Sequence, residues 1–136
     1  MKKITFDAKF DILDEIREFV AQIARKAGFS DKEIYSIQLA ADEASSNIIE
    51  HAYADVKNGK IEIECGFLNG ELRIVMRDRG KSFNPSNVLE PNVKADLSDR
   101  MIGGLGMYLM RKLMDEVSYE SSEKKGNTLT MVKRKG

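Results

Sequence analysis

Three places in this 136-residue chain combine residue types and spacing that suit chemistry. Glu43 and Asn47 stand four apart in a segment of helical period, so both project from one side, one turn apart. A carboxylate and an amide oxygen placed this way suit a divalent cation, or leave Glu43 to take a proton. The same pair is also what a polar helix face in water looks like. Asp78 has the parity of Leu72, Ile74 and Met76, which puts it on the core-facing side of its strand. A carboxylate there needs a partner or a ligand, because an unpaired buried charge is costly. Gly80, two residues on, would let a ligand approach the backbone closely; a salt bridge or a turn-capping aspartate would leave the same pattern. Gly103-Gly104-Leu105-Gly106 opens a helical segment, and glycines there leave N–H groups free near the positive end of the helix dipole, as phosphates require. Many helices begin after a glycine turn for packing alone. No Gly-Lys-Ser/Thr follows and no strand precedes, so this is neither a Walker loop nor a dinucleotide fingerprint.

Composition narrows what these groups can be for. The 22 Lys and Arg balance 22 Asp and Glu, which argues against a general nucleic-acid binder and against an electrostatically held membrane protein. Cys65 is the only cysteine and His51 the only histidine, so an intrachain disulfide and a Cys/His zinc cluster are excluded. The first residues carry charge but no apolar signal-peptide core, and no apolar run approaches the ~18 residues of a membrane span. The expected setting is the cytosol, and the expected organisation is one domain over residues 1–136.

The elements that must position these groups are legible as periods. Ile4 and Phe6 alternate with polar neighbours in a strand over residues 2–8. Residues 10–27 have the three-and-four spacing of an amphipathic helix, closed by Gly28. Ser30 with Glu33 is a capping-box pattern for a second helix, whose apolar face runs from Ile34 through Tyr53. Ile61 to Phe67 and Leu72 to Met76 alternate around Asn69-Gly70, a type I′ hairpin signal. Residues 79–102 have no period and contain both prolines; an irregular stretch this long in a small domain is usually functional. A short helix to about Met114 and two strands, at 117–119 and 127–133, follow. The basic end Lys133-Arg134-Lys135 reads as a solvated tail, and the methionines, Met101, Met107, Met110 and Met114 among them, as core or loop packing. The order predicts an α+β two-layer sandwich: a mixed, mostly antiparallel sheet with helices on one face.

Taken in order, the helical Glu-x-x-x-Asn, the strand-end Asp-x-Gly, the irregular loop and the Gly-x-Gly at a helix start resemble the ATP-binding domain of the GHKL superfamily. They are closer still to its small bacterial branch, the anti-sigma-factor serine kinases. The stretch from Glu43 to Tyr53, with its trailing His-Ala-Tyr, is similar to that branch's N box. Asp78 to Phe83 resembles its G1 box and Gly103 to Met110 its G2 box. Each motif is common alone; the ordered set is specific and covers nearly the whole chain.

The resemblance implies a histidine-kinase-like ATP-binding fold and a set of roles. Asn47 would coordinate Mg²⁺ bridging the ATP phosphates, and Glu43 would be the general base for an attacking hydroxyl. Asp78 would accept a hydrogen bond from the adenine amino group, with Gly80 and Phe83 beside the base. Residues 82–102 would be an ATP lid. The amides of Gly104, Leu105 and Gly106 would hold phosphate, with Gly103, Met107 and Arg100 nearby. The family's last motif opens on Gly-Thr; here Gly126-Asn127-Thr128 puts Asn127 in the threonine's place and Thr128 one further on. The activity implied is an ATP/Mg²⁺-dependent serine/threonine kinase acting on an anti-sigma-factor antagonist and binding a sigma factor. The alternative is a nucleotide-sensing binding protein without transfer activity. A homodimer through strand 2–8 and the first helix is a further expectation, and His51, on the nucleotide-binding helix, is read as structural.

Overall fold

The computed structural model describes residues 1–54, 58–81 and 104–136. The expected lid and, within it, Phe83, Arg100 and Met101 lie outside these residues, as does Gly103. Strand β1 (Lys2–Asp7) leads through a single 3₁₀ turn, Phe10–Ile12, into helix α1 (Leu13–Ala27). Gly28 ends α1 at φ 91°, its N–H returning to the carbonyls of Ala24 and Arg25. Helix α2 (Asp31–Asn47) starts on the expected capping box: Glu33 N–H donates to Ser30 Oγ at 3.1 Å and Ser30 N–H to Glu33 Oε1 at 2.9 Å.

Strands β2 (Lys60–Leu68) and β3 (Glu71–Asp78) form the hairpin. Asn69 and Gly70 both take positive φ, as a type I′ turn demands. Helix α3 (Gly104–Leu113), β4 (Glu116–Ser122) and β5 (Gly126–Arg134) complete the described chain. The sheet order is β1-β2-β3-β5-β4, and every neighbouring pair is antiparallel. The parallel pairing allowed for by a mixed sheet is not present among the described residues, because β5 turns back from edge strand β4 and enters beside β3 in the opposite sense. The lysines and arginine at 133–135 are not a loose tail either. β5 runs through Arg134, whose guanidinium reaches Glu71 and Glu116, and Lys133 Nζ donates to Leu113 O at 2.8 Å.

One face of the sheet is apolar and covered. Ile61, Ile63, Cys65, Leu72, Ile74, Met76, Leu129 and Met131 meet Ile16, Val20, Ile37, Ala41 and Ala44 of α1 and α2 in a single buried cluster. α3 lies against α2 and adds Met107, Met110 and Met114 to that core. Ser45 places α2 over β3: its hydroxyl donates to Ala41 O at 2.8 Å and lies 3.8 Å from Met76 Sδ. No helix among the described residues is long and apolar enough to cross a membrane.

The second helix departs from the periodic expectation at its end. After Asn47 the chain widens into a π turn, Ile48–Ala52, and Tyr53 N–H bonds to Ile48 O at 3.0 Å. The extra residue in that turn brings Ile48, Ile49, Ala52 and Tyr53 all into the interior. Tyr53 then joins three parts of the chain. Its ring lies against Gly59, where a Cβ would collide with it. Its hydroxyl donates to Lys60 O at 2.7 Å and accepts from Arg79 N–H at 2.7 Å. Tyr53→Phe keeps the ring and removes both bonds, and is expected to lower stability by about 1–2 kcal/mol. A urea midpoint equal to that of the unmodified protein would show that the hydroxyl does not hold these strands to the helix.

Candidate nucleotide site

The site forms where the end of α2 meets the turn after β3. Two contacts set that meeting. Lys81 N–H donates to Ala52 O at 2.8 Å, and a Cβ on Gly80 would run into the Ala52 carbonyl and side chain. The glycine of the Asp-x-Gly motif is therefore demanded first by the protein's own backbone, which crosses the π turn with no room for a side chain. Through this seam Asn47, one π turn before Ala52, and Asp78, two residues before Gly80, are held in one construction.

Asp78 is buried, as its parity in β3 predicts. No described residue forms a salt bridge with it. Gly80 N–H donates to its Oδ1 at 2.9 Å and Asn127 Nδ2 donates to the same oxygen at 2.8 Å, so no described residue bonds Oδ2. Burial pushes the carboxyl above its ordinary range, and the bonds from Asn127 and Gly80 only partly oppose that. The result is a desolvated carboxyl with one oxygen anchored and the other bonded by none of the described residues.

Asn127 stands directly opposite Asp78 across the β3–β5 ladder. It is 2% exposed, and its Nδ2 also reaches Gly80 O at 2.9 Å and Lys81 O at 3.4 Å. Its place in the site is thus the one expected for the family's threonine. Thr128 is not in the site: strand alternation turns it to the uncovered face of the sheet, in register with Arg77. Arg77 there bonds Glu62 at 2.9 Å and Glu64 at 2.5 Å in a surface charge ladder.

On α2, Glu43 is half-buried and Asn47 is buried. Burial, reinforced by the neighbouring Asp42 and Glu50 carboxylates, raises the Glu43 carboxyl above its ordinary value, the direction a general base needs. Asn47 Nδ2 is the one enclosed side-chain nitrogen or oxygen among the described residues with no hydrogen-bond partner. A buried N–H donor left without a partner calls for an acceptor, such as a ligand oxygen. Asn47 Oδ1 is chemically suited to a hard cation such as Mg²⁺, which keeps few protein ligands and completes its octahedron with phosphate and water. No described group of three or more His, Cys, Asp or Glu could hold a metal without such help.

α3 begins at Gly104, so the backbone of Gly104, Leu105 and Gly106 forms its first turn, where N–H groups are unpaired along the helix. Met107 is wholly enclosed. It belongs to the core with Met110 and Met114, at three- and four-residue spacing, and does not line the site. His51 is about one-third exposed on the π turn, 3.8 Å from Glu50. Tyr53 and Ser121 are the residues that sequence reasoning missed. Ser121 Oγ donates to Asn127 Oδ1 at 2.7 Å. Tyr53 carried a signal, a polar-tipped ring closing an apolar helix face; Ser121, an exposed serine on an edge strand, carried none.

Comparison with known proteins gives the family. Residues 6–133 match the histidine kinase-like ATPase domain. The serine-protein kinase RsbW of Bacillus subtilis (strain 168) is 34% identical over 122 residues, covering 87% of this chain and 75% of that protein. RsbW of Bacillus licheniformis is 35% identical over 130 residues, covering 93% and 80%. In fold, the chain superposes on the crystal structure of the RsbU and RsbW domains of a Mycobacterium tuberculosis protein with TM-score 0.63 and 21% identity, over 98% of this chain and 32% of that one. The catalytic domain of the histidine kinase ThkA gives TM-score 0.59 and 17% identity, over 99% and 97%. The chain therefore belongs to the histidine kinase-like ATPase domain family, and within it stands with the serine-protein kinases.

Proposed function

We propose that this protein is an ATP-dependent serine/threonine kinase of the anti-sigma type. It would phosphorylate a small antagonist protein and bind a sigma factor or similar regulator according to its nucleotide state. The observation that carries the reading is a pair of groups on one seam: Asn47, whose buried Nδ2 has no hydrogen-bond partner, and Asp78, a buried carboxylate whose Oδ2 no described residue bonds. The first can donate to a phosphate oxygen, with its Oδ1 the atom suited to Mg²⁺; the second suits the amino group of adenine. Identity above 30% to serine-protein kinases along most of their length supports transfer to a hydroxyl.

In this reading Asp78 Oδ2 accepts from the base and selects adenine. Asn47 would hold Mg²⁺ through its Oδ1, and the ion would supply charge neutralisation on the phosphates. The first-turn amides of α3 hold phosphate oxygens. Glu43, its carboxyl raised by burial, orients the acceptor hydroxyl and takes its proton. The acceptor oxygen forms its bond to the γ-phosphorus as the bond to ADP breaks, and ADP leaves with that electron pair.

Glu43→Gln tests the base. Its melting shift with Mg-ADP should match that of the unmodified protein, while acceptor phosphorylation, followed by intact mass, falls about 100-fold or more. Phosphorylation at an unchanged rate would remove Glu43 from the chemistry. If neither protein transfers phosphate to any acceptor while both bind nucleotide, the protein is a nucleotide sensor. Because the Glu43 carboxyl is raised, the rate should begin to fall on the acid side above the usual carboxylate range.

Asp78→Asn separates binding from stability. The raised carboxyl means the ionised form is disfavoured in the folded state, so the fold loses stability as pH rises from the ordinary aspartate range through the folded value. Asparagine can keep Oδ1 as acceptor for Gly80 and Asn127 without that charge. The variant should therefore melt at or above the unmodified protein at pH 7, with its advantage gone in acid. It should also lose the melting rise with Mg-ADP, because Nδ2 now faces a donor. A full Mg-ADP shift in this variant would remove Asp78 from base recognition.

A further inference from the structure

Asn127 occupies the place where a base-contacting side chain is expected, and its hydrogen-bond capacity can be counted. A carboxamide has two N–H donors. One is committed to Asp78 Oδ1 at 2.8 Å; the other goes to Gly80 O at 2.9 Å, shared with Lys81 O at 3.4 Å. The orientation of the amide is forced by its surroundings: Nδ2 faces a carboxylate and two carbonyls, all acceptors, while Oδ1 faces the Ser121 hydroxyl, which can donate at 2.7 Å. Turning the amide over would set oxygen against three acceptors. Asn127 therefore has no donor left for a base nitrogen, and at 2% exposure it has almost no surface to offer.

All of this donor capacity is spent around Asp78 and the turn after it. The bond to Asp78 Oδ1 prevents rotation of the carboxylate, and the bond to Gly80 O holds the turn whose N–H supplies the second bond to the same oxygen. Ser121 on β4 braces the amide from the far side, in direct register across the β4–β5 ladder. We infer that Asn127, braced by Ser121, is a positioning residue: it sets base specificity only by aiming Asp78 Oδ2 and makes no nucleotide contact of its own. A threonine at this place has one hydroxyl and could serve the carboxylate or the ligand; the asparagine is occupied by the carboxylate and the turn. The inference rests on the reading of Asp78 as the adenine acceptor.

The test compares Mg-ATP with the Mg²⁺ complex of purine riboside triphosphate, in which adenine's amino group is replaced by hydrogen, by titration calorimetry on the full chain. The unmodified protein should bind ATP about tenfold or more tighter than the analogue. Asn127→Ala should weaken ATP about tenfold and leave the analogue within about twofold. Ser121→Ala, at an exposed position, should weaken ATP a few-fold, again without effect on the analogue, and it carries the test if Asn127→Ala does not fold. Equal losses on both nucleotides, or no loss on either, would overturn the inference. Asp78→Asn is the control for the underlying reading: if it still prefers ATP over the analogue, that reading fails and the inference with it. If it loses the preference while Asn127→Ala and Ser121→Ala keep it, the inference alone fails.

Discussion

The end of α2 and the turn after β3 are joined backbone to backbone, and the site exists because of that seam. Lys81 N–H reaches Ala52 O, Gly80 leaves the space the carbonyl occupies, and the Tyr53 hydroxyl bridges Lys60 and Arg79. A helix carrying Asn47 and a strand carrying Asp78 would otherwise be related only by hydrophobic packing, which fixes layers but tolerates sliding. Directional bonds at the crossing remove that freedom. The π turn is the local cost of the arrangement: an ordinary α-helical continuation would present one apolar residue in three or four, whereas here four of the last six positions face inward.

The electrostatics follow from the same burial. Asp78 and Glu43 are both raised, in each case chiefly by loss of solvent, and neither is paired with a described cation. By contrast, the arginines of the open sheet face are matched to Glu62, Glu64, Glu71 and Glu116. Among the described residues, the charges of the open sheet face are paired, whereas Asp78 and Glu43 on the covered side are not. Zero net charge is the sum of these two unlike halves.

Local order was legible in the sequence. The capping box at Ser30 and Glu33, the glycine closing α1 and the Asn69-Gly70 turn each depend on residues within a few positions of one another, and each formed as its spacing predicts. The core-facing parity of Asp78 and the pairing of Glu43 with Asn47 on one side of a helix are likewise consequences of periods two and 3.6. The ordered motifs then identified the fold family. Thr128 and Met107 did not follow the same way, because family spacing was carried past a one-residue shift in one case and onto a core position in the other. Strand and helix geometry resolve both: Thr128 has the wrong parity, and Met107 lies on the buried stripe of α3.

The sequence by itself thus determined which residues could do chemistry and the elements that carry them, since those are properties of short-range periodicity and backbone preference. Only the tertiary structure decided how the groups are aimed. That Asp78 has one oxygen anchored and the other bonded by no described residue, that Asn127's donors are consumed in anchoring it, that Ser121 braces Asn127, and that Gly80 is required by Ala52 all involve residues brought together by sheet register and by the crossing of α2 over β3. Hydrogen-bond satisfaction is a property of a closed neighbourhood in space, and no one-dimensional spacing reports which donors and acceptors the finished fold has left unspent.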